Sequence, residues 1–444
     1  MTMTLGLLLP IQNSADADPV YFIYTGTQYR SFNAETGSYN EPMLTEIRWF
    51  PLDNPTMVTR VEVPHFYHYA LSPSGTHLAF KETDRNGSFY ILNLRDQSLT
   101  LLDYREPVQE FLNDDHTHRA GSLLWSPDGS KLAFTGSPDG ERTTRADVLV
   151  YDVSTGRITT MTDSISIVRT LILPSSWSPD GAWLVVYGAW TETEQDGSIR
   201  PLFRSGALSA DGQQFLELAP SFNTCRLHWS PDMRWLASET SCFAGTGNSS
   251  GLLLIPFNPE PVTYNDRRLD EVITPLRLDW YSSGAWNYSY HHPIWKDANT
   301  LIAHRRLTPV TFGYLPDEIT DEFTARGWIS FDVNTYSENA ILPNLSDLPT
   351  ARLGNWLAAM GENGITAFNP IIDRVLEFPD TIRTCPISYA LQIEAQGDYA
   401  AVIDACEQPF LPAVIRIYET ISYNEDLSIT ANEAEFIKPL GFFR

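Results

Sequence analysis

Several groups of residues have the types and spacing to carry chemistry. Gly247-Asn248-Ser249-Ser250-Gly251 has the spacing of a nucleophile elbow. Such an elbow needs a strand before the serine and a helix after it, so that the hydroxyl stands on a strained turn. This match instead sits in a Gly/Ser-rich stretch and runs into the strand-like Leu252 to Ile255. A hairpin loop is the expectation there. Asp114, Asp115, His116 and His118 are the candidate metal ligands. In an extended segment the two imidazoles fall on one side, with carboxylates beside them. A cation site usually draws further ligands from elsewhere in a fold, so a solvated acidic loop is the alternative. His65, His68, His291 and His292 stand among aromatic residues, which suits structural histidines. No Cys/His group has zinc spacing, and no Gly-rich loop opens a helix to cradle phosphate. No catalytic residue is singled out and no cofactor is expected.

The elements that must position these residues come from an internal repeat. Residues 125–134 read WSPDGSKLAF, 177–186 read WSPDGAWLVV and 229–238 read WSPDMRWLAS. A fourth copy, 71–80, reads LSPSGTHLAF. Their first residues lie 54, 52 and 52 positions apart. Fainter copies follow at 295–303, at 354–358 and at 393–402, which makes seven anchors. In SPDG the proline presets φ at the second position of a type I turn, and glycine takes the left-handed position that follows. The tryptophan ends one strand and the apolar run after the turn starts the next. Asp147 to Val153 and Ser88 to Leu94 alternate as third strands, and Arg157 to Thr162 reads as a fourth. Each unit is therefore one four-stranded antiparallel sheet. Alone it could not bury both faces, but stacked around an axis it can.

The WSPDG, LAF and VYDVSTG pattern resembles the TolB-like (WD-repeat-like) β-propellers. The likeness is densest at about 120–165 and 170–190, and it thins after residue 285. It implies an all-β propeller of four-stranded antiparallel blades filling residues 18–444 as one domain. About seven blades are expected, with six and eight as the alternatives. Residues 20–64 hold further strand-like pieces, which either form an eighth blade or complete the last one and close the ring through both termini. Residues 315–327 read as a short helical insertion, with Ile319 and Phe323 one turn apart and Gly327 at its end.

In a propeller, the loops between blades share one face with those between a blade's second and third strands. The aromatic residues expected there are Trp190, Trp280, Tyr281, Trp286, Tyr288 and Tyr290. Tyr and Trp are large, stiff and amphipathic, and so suit a glycan or a protein partner. The cysteines test the repeat. Cys225 and Cys242 are equidistant from the turn at 231–234, and Cys385 and Cys406 from the turn at 395–397. Residues so placed in a hairpin face each other at a separation that a disulfide spans. Two intrablade bridges, Cys225–Cys242 and Cys385–Cys406, are the expectation.

Composition sets the remaining bounds. Of 444 residues, 55 are Asp or Glu and 30 are Lys or Arg, for a net charge of −25. That balance excludes a phosphate-backbone partner, so nucleic acid is not expected. No apolar run is long enough for a transmembrane helix. Residues 5–11, LGLLLPI, followed by Ser14-Ala15-Asp16-Ala17, read as the end of a secretory signal peptide, with a disordered tail as the alternative for residues 1–17. Disulfides persist in oxidising compartments, so the expected location is extracellular or periplasmic, in the cell envelope. The function expected from these features is a non-catalytic binding or scaffold module. A glycan lyase or hydrolase working at the mouth of the central channel is the alternative.

Overall fold

A computed structural model describes residues 19–33, 38–82, 88–102, 123–136, 147–161, 169–193, 199–218, 224–240, 252–258, 286–309, 327–335, 337–342, 350–353, 355–361, 364–379, 391–393, 399–403, 414–419, 424–430 and 435–443. Nearly all of them lie in strands or tight turns. The strands group into eight antiparallel sheets. Blade 1 holds Tyr21–Asn33, Ser38–Pro51 and Thr59–Val63, with Glu435–Phe443 beside the first of these. Blade 2 follows with Phe66–Leu71, His77–Glu82, Phe89–Asn93 and Leu99–Leu102. Blade 3 has Leu124–Trp125, Lys131–Gly136, Asp147–Asp152 and Arg157–Thr160. Blade 4 has Arg169–Trp177, Trp183–Thr193, Ile199–Ser209 and Phe215–Leu218. Blade 5 shows three described strands, Thr224–Trp229, Trp235–Thr240 and Leu252–Pro256. Blade 6 has Trp286–Trp295, Thr300–Pro309, Gly327–Asp332 and Ser337–Leu342. Blade 7 has Thr350–Leu353, Trp356–Gly361, Gly364–Asn369 and Arg374–Pro379. Blade 8 has Leu391–Ile393, Tyr399–Ile403, Val414–Glu419 and Asn424–Thr430.

Eight sheets stand where about seven were expected. The difference lies in residues 20–64, which lack the SPDG signature. They supply three strands of a sheet whose fourth comes from the far end of the chain. Tyr21 pairs with Phe443 and Thr25 with Lys438. Both alternatives considered for this segment are thus realised together: it forms an eighth blade, and that blade joins the two ends.

The strands alternate apolar residues toward both neighbouring sheets. In Lys131–Gly136, Leu132 and Phe134 face the core shared with blade 2, while Ala133 faces the one shared with blade 4. Period-2 alternation with both faces buried is what stacked sheets require. Eight such cores follow one another around the molecule, each fed by two successive blades. The last joins Ala401 and Ile417 of blade 8 to Phe22, Tyr24 and Phe50 of blade 1, so the ring closes. The strands Glu435–Phe443, Phe66–Leu71, Leu124–Trp125, Arg169–Trp177, Thr224–Trp229 and Trp286–Trp295 lie side by side in turn, and Leu391–Ile393 lies beside Glu435–Phe443. These are the inner strands, and strands are counted outward from them, so Glu435–Phe443 is the first strand of blade 1 and Tyr21–Asn33 its second. The fold is a β-propeller.

The turns after the inner strands are built alike. In blade 3 the Ser126 hydroxyl donates to Asp128 at 2.6 Å, and the N–H groups of Ser130 and Lys131 donate to Asp128 and to Ser126 Oγ at 3.0 and 2.9 Å. Gly129 sits at φ +70°, where a side chain is costly. Ser178-Pro179-Asp180-Gly181 repeats these bonds. So does Ser209-Ala210-Asp211-Gly212, between the third and fourth strands of blade 4. The Ser126 hydroxyl and the Ser130 N–H and hydroxyl pull the Asp128 carboxyl down to about 2. In blade 5, Met233 takes the left-handed position at φ 61° and packs against the core between blades 4 and 5.

Candidate functional site

The candidate site follows from where the chain turns. Neighbouring strands in a blade are antiparallel, so the turns after first and third strands lie on one face of the ring, and the connections after second and fourth strands lie on the other. The first set is short, from two residues at 354–355 to seven at 52–58. Setting aside 257–285, every connection longer than seven residues belongs to the second set. These are 103–123, 137–146, 161–168, 241–251, 310–326, 380–390 and 404–413. One face thus carries short connections, hydrogen-bonded where they are described, and the strands on the other end in long segments.

Near that second face, the second strands reach a common level that carries polar groups. The level is one register position, taken one residue beyond the central run of each strand. The series reads Thr25, Lys81, Thr135, Tyr187, Glu239, His304, Met360 and Ile403. Thr25, Lys81, Thr135, Tyr187 and His304 are all buried. The Thr135 hydroxyl donates to the carbonyl of Ile172 in blade 4 at 3.4 Å, so the position faces the following blade. His304 lies edge-on to Trp328, with ring centroids 5.1 Å apart. The inner-strand residues opposite these positions are Lys438, His68, Cys225 and His291 in blades 1, 2, 5 and 6. Two of the four lysines in the chain, Lys81 and Lys438, therefore occupy this level in adjacent blades. Next to it, Thr45 Oγ1 lies 3.1 Å from His65 Nδ1, and burial lowers the pKa of that histidine. Glu82 accepts from the Tyr90 hydroxyl at 3.3 Å.

The sequence did not disclose this level, because its residue types differ from blade to blade. The available signal was positional: the residue after LAF, LAF, LVV and LIA is Lys81, Thr135, Tyr187 and His304. Of the expected aromatic residues, Trp190 lies near the far end of the second strand of blade 4, opposite Arg169 and Leu202. Trp286 starts the inner strand of blade 6 at the long-segment face, and Tyr288 and Tyr290 continue it. Trp280, Tyr281, Asp114, Asp115, His116, His118, the segment 247–251 and the insertion at 315–326 lie outside the described residues. Among the described residues no group of three or more His, Cys, Asp or Glu is placed to hold a metal ion.

The cysteine hairpin departs from the symmetry assumed for it. Trp229 pairs with Leu236, but a bulge between Cys225 and His228 shifts the register, and Cys225 stands opposite Glu239. Cys242, Cys385 and Cys406 lie outside the described residues.

No family model matches the chain, and no curated protein matches it. Among solved structures it is similar to a TolB protein from Agrobacterium tumefaciens, at 14% identity over 80% of this chain and 88% of that one, with a TM-score of 0.35. It is also similar to an oligogalacturonate lyase in complex with manganese, at 14% identity over 87% of this chain and 95% of that one, TM-score 0.46. A third likeness is to the β-propeller domain of the trilobed protease from Pyrococcus furiosus, at 10% identity over 78% of this chain and 91% of that one, TM-score 0.41.

Proposed function

We propose that this chain is a non-catalytic binding or scaffold module of the cell envelope or extracellular space, which engages a protein or a glycan through its long-segment face. The observation that supports this is the asymmetry of the ring, with short connections on one face and, 257–285 aside, every connection longer than seven residues on the other. Connecting segments held by a rigid scaffold are where recognition concentrates. Trp190, Trp286, Tyr288 and Tyr290 are the contact residues proposed, with Trp280 and Tyr281. The net charge of −25 disfavours acidic partners.

Glycan-array and crosslinking measurements on the purified chain test this reading. Replacing Trp190 or Tyr290 with alanine is expected to lower retention at least about tenfold, while Asp211→Ala, in a turn of the opposite face, leaves it unchanged. Equal loss in all three variants, or no retained protein or glycan, counts against the reading.

A second reading, a glycan lyase or hydrolase, is favoured by one observation. Lys81, Tyr187, Glu239 and His304 reach the same level from four blades, as in a site assembled one side chain per blade. Glycan depolymerisation that disappears in His304→Gln, with glycan binding retained, would support it.

The disulfides Cys225–Cys242 and Cys385–Cys406 belong to the proposal, as does residues 1–17 as a signal remnant. Among the described residues no helix is long and apolar enough to cross a membrane.

A further inference from the structure

We propose that the outer strand of blade 2, Leu99–Leu102, is a homotypic docking edge: a second copy of this chain adds its own Leu99–Leu102 antiparallel to it, and the two blades become one continuous sheet. The strand is the last of its sheet, so one side of its main chain meets no further strand among those described. An open edge of this kind is a template for pairing, and folds commonly blunt it with charge. Of the seven described fourth strands, six carry at least one charged residue, as Arg60, Arg157, Glu217, Glu338, Glu377 and Glu425 show for blades 1, 3, 4, 6, 7 and 8. Leu99–Leu102 carries none. It is as long as the fourth strands of blades 3 and 4, so charge and not length sets it apart. Leu99 is 38% exposed and Leu101 52%.

The backbone of this strand is self-complementary. The Asn93 N–H donates to Ser98 O at 2.9 Å across the hairpin. Alternation along the antiparallel ladder then turns Thr100 and Leu102 inward to Phe89–Asn93, and turns the N–H and C=O groups of Leu99 and Leu101 outward. In a two-fold antiparallel pairing centred on Thr100, Leu99 meets Leu101 of the second copy and Leu101 meets its Leu99. Both outward residues of both copies are then used, and each such pair exchanges two main-chain hydrogen bonds. The exposed leucines of the two copies come together on one face, the face that Leu92 and Tyr90 turn toward blade 1. Charge also points to a second copy. Each chain carries −25, so most contacts between copies set like charges together. The hairpin from Phe89 to Leu102 holds one cation, Arg95, and one anion, Asp96, and is neutral. Two copies meeting there add no local repulsion. So short an edge buries less than the ~800 Å² per partner of a standard interface. The dimer is therefore weak, and salt strengthens it by screening the net charge.

Sedimentation equilibrium of the full chain over a concentration series, at low and at high salt, tests the proposal. A monomer–dimer equilibrium is expected, shifted toward dimer as salt rises. Leu101→Lys puts a charge on the exposed edge and is expected to weaken association at least about tenfold. Leu101→Pro removes an outward N–H and leaves the blade's own ladder its donors, and is expected to do the same. Ile372→Lys changes a similarly exposed apolar side chain in blade 7 and is expected to leave association unchanged. A chain that stays monomeric up to about 1 mM at both salt levels overturns the proposal and leaves the edge to a strand of some other protein. So does a dimer that both Leu101 variants leave intact, or one that Ile372→Lys weakens as much as they do. If Leu101→Pro fails to fold, Leu101→Lys, at a side chain outside the core, decides.

Discussion

The indole N–H of Trp177 donates to the main-chain carbonyl of Leu124, 3.1 Å away in the preceding blade. The tryptophan that marks the repeat in sequence is therefore more than the end of a strand. Its ring packs into the core between blades 3 and 4, and its nitrogen fixes the register of one blade against the next. Trp177→Phe is expected to destabilise the chain by about 1 kcal/mol, the net worth of one such bond. Trp177→Ala is expected to cost about 3–5 kcal/mol, because a cavity is added. Denaturant unfolding of the two variants separates these effects, and an unchanged stability in Trp177→Phe would show that the bond contributes nothing measurable.

Acid should weaken the SPDG turn over a defined window. The hydroxyl of Ser126, then the N–H and hydroxyl of Ser130, lower the Asp128 carboxyl from its ordinary 3.8 to about 2. Because the folded value lies below the unfolded one, the contribution is complete above about pH 4 and is lost as pH falls toward about 2. Asp211 shifts the same way, through the Ser209 hydroxyl and then the Gln213 N–H. Titration of the Asp128 carboxyl by NMR is expected to give a midpoint near 2. A midpoint at the ordinary value would mean that the turn does not hold its bonds in solution.

Gly206 is fixed by its neighbour rather than by its backbone angles. A Cβ built there would lie 2.1 Å from the ring of Phe215 and 3.0 Å from the carbonyl of Leu216. Gly206→Ala should therefore force the fourth strand of blade 4 outward and destabilise by about 1–3 kcal/mol. Thermal unfolding checks the size. Adding Phe215→Leu is expected to recover part of the loss.

Alkylation of the unreduced, denatured chain is expected to label none of the four cysteines, and alkylation after reduction all four. Peptide mapping should then join Cys225 to Cys242 and Cys385 to Cys406. Labelling without reduction would remove both the bridges and the argument from them for an oxidising compartment.

Much of the fold was legible because the turn chemistry is local. Ser126, Pro127, Asp128 and Gly129 make their bonds within six residues, so the motif carries its own geometry. The third strands at 89–93 and 147–152 and the fourth at 157–160 fell where alternation put them. What escaped was non-local. Blade 1 pairs Tyr21 with Phe443, a contact between residues hundreds of positions apart that no repeat could announce. The turn at Ser209 to Gly212 was hidden because alanine replaces its proline. The bulge before His228 left no mark in the spacing of the cysteines. The polar level was missed because a shared position need not share a residue type. Lys81 and His304 become comparable only once the strands are aligned in space.

The pairing of Tyr21 with Phe443 also decides how the ring is presented. Tyr21 opens a second strand and Phe443 closes an inner one, and both of those ends lie on the face of the short turns. Any tether, tag or neighbouring domain joined beyond either residue therefore leaves from that side. An immobilised or surface-displayed ring then stands like a dish on its stem, with the strand ends that lead into the long segments turned outward.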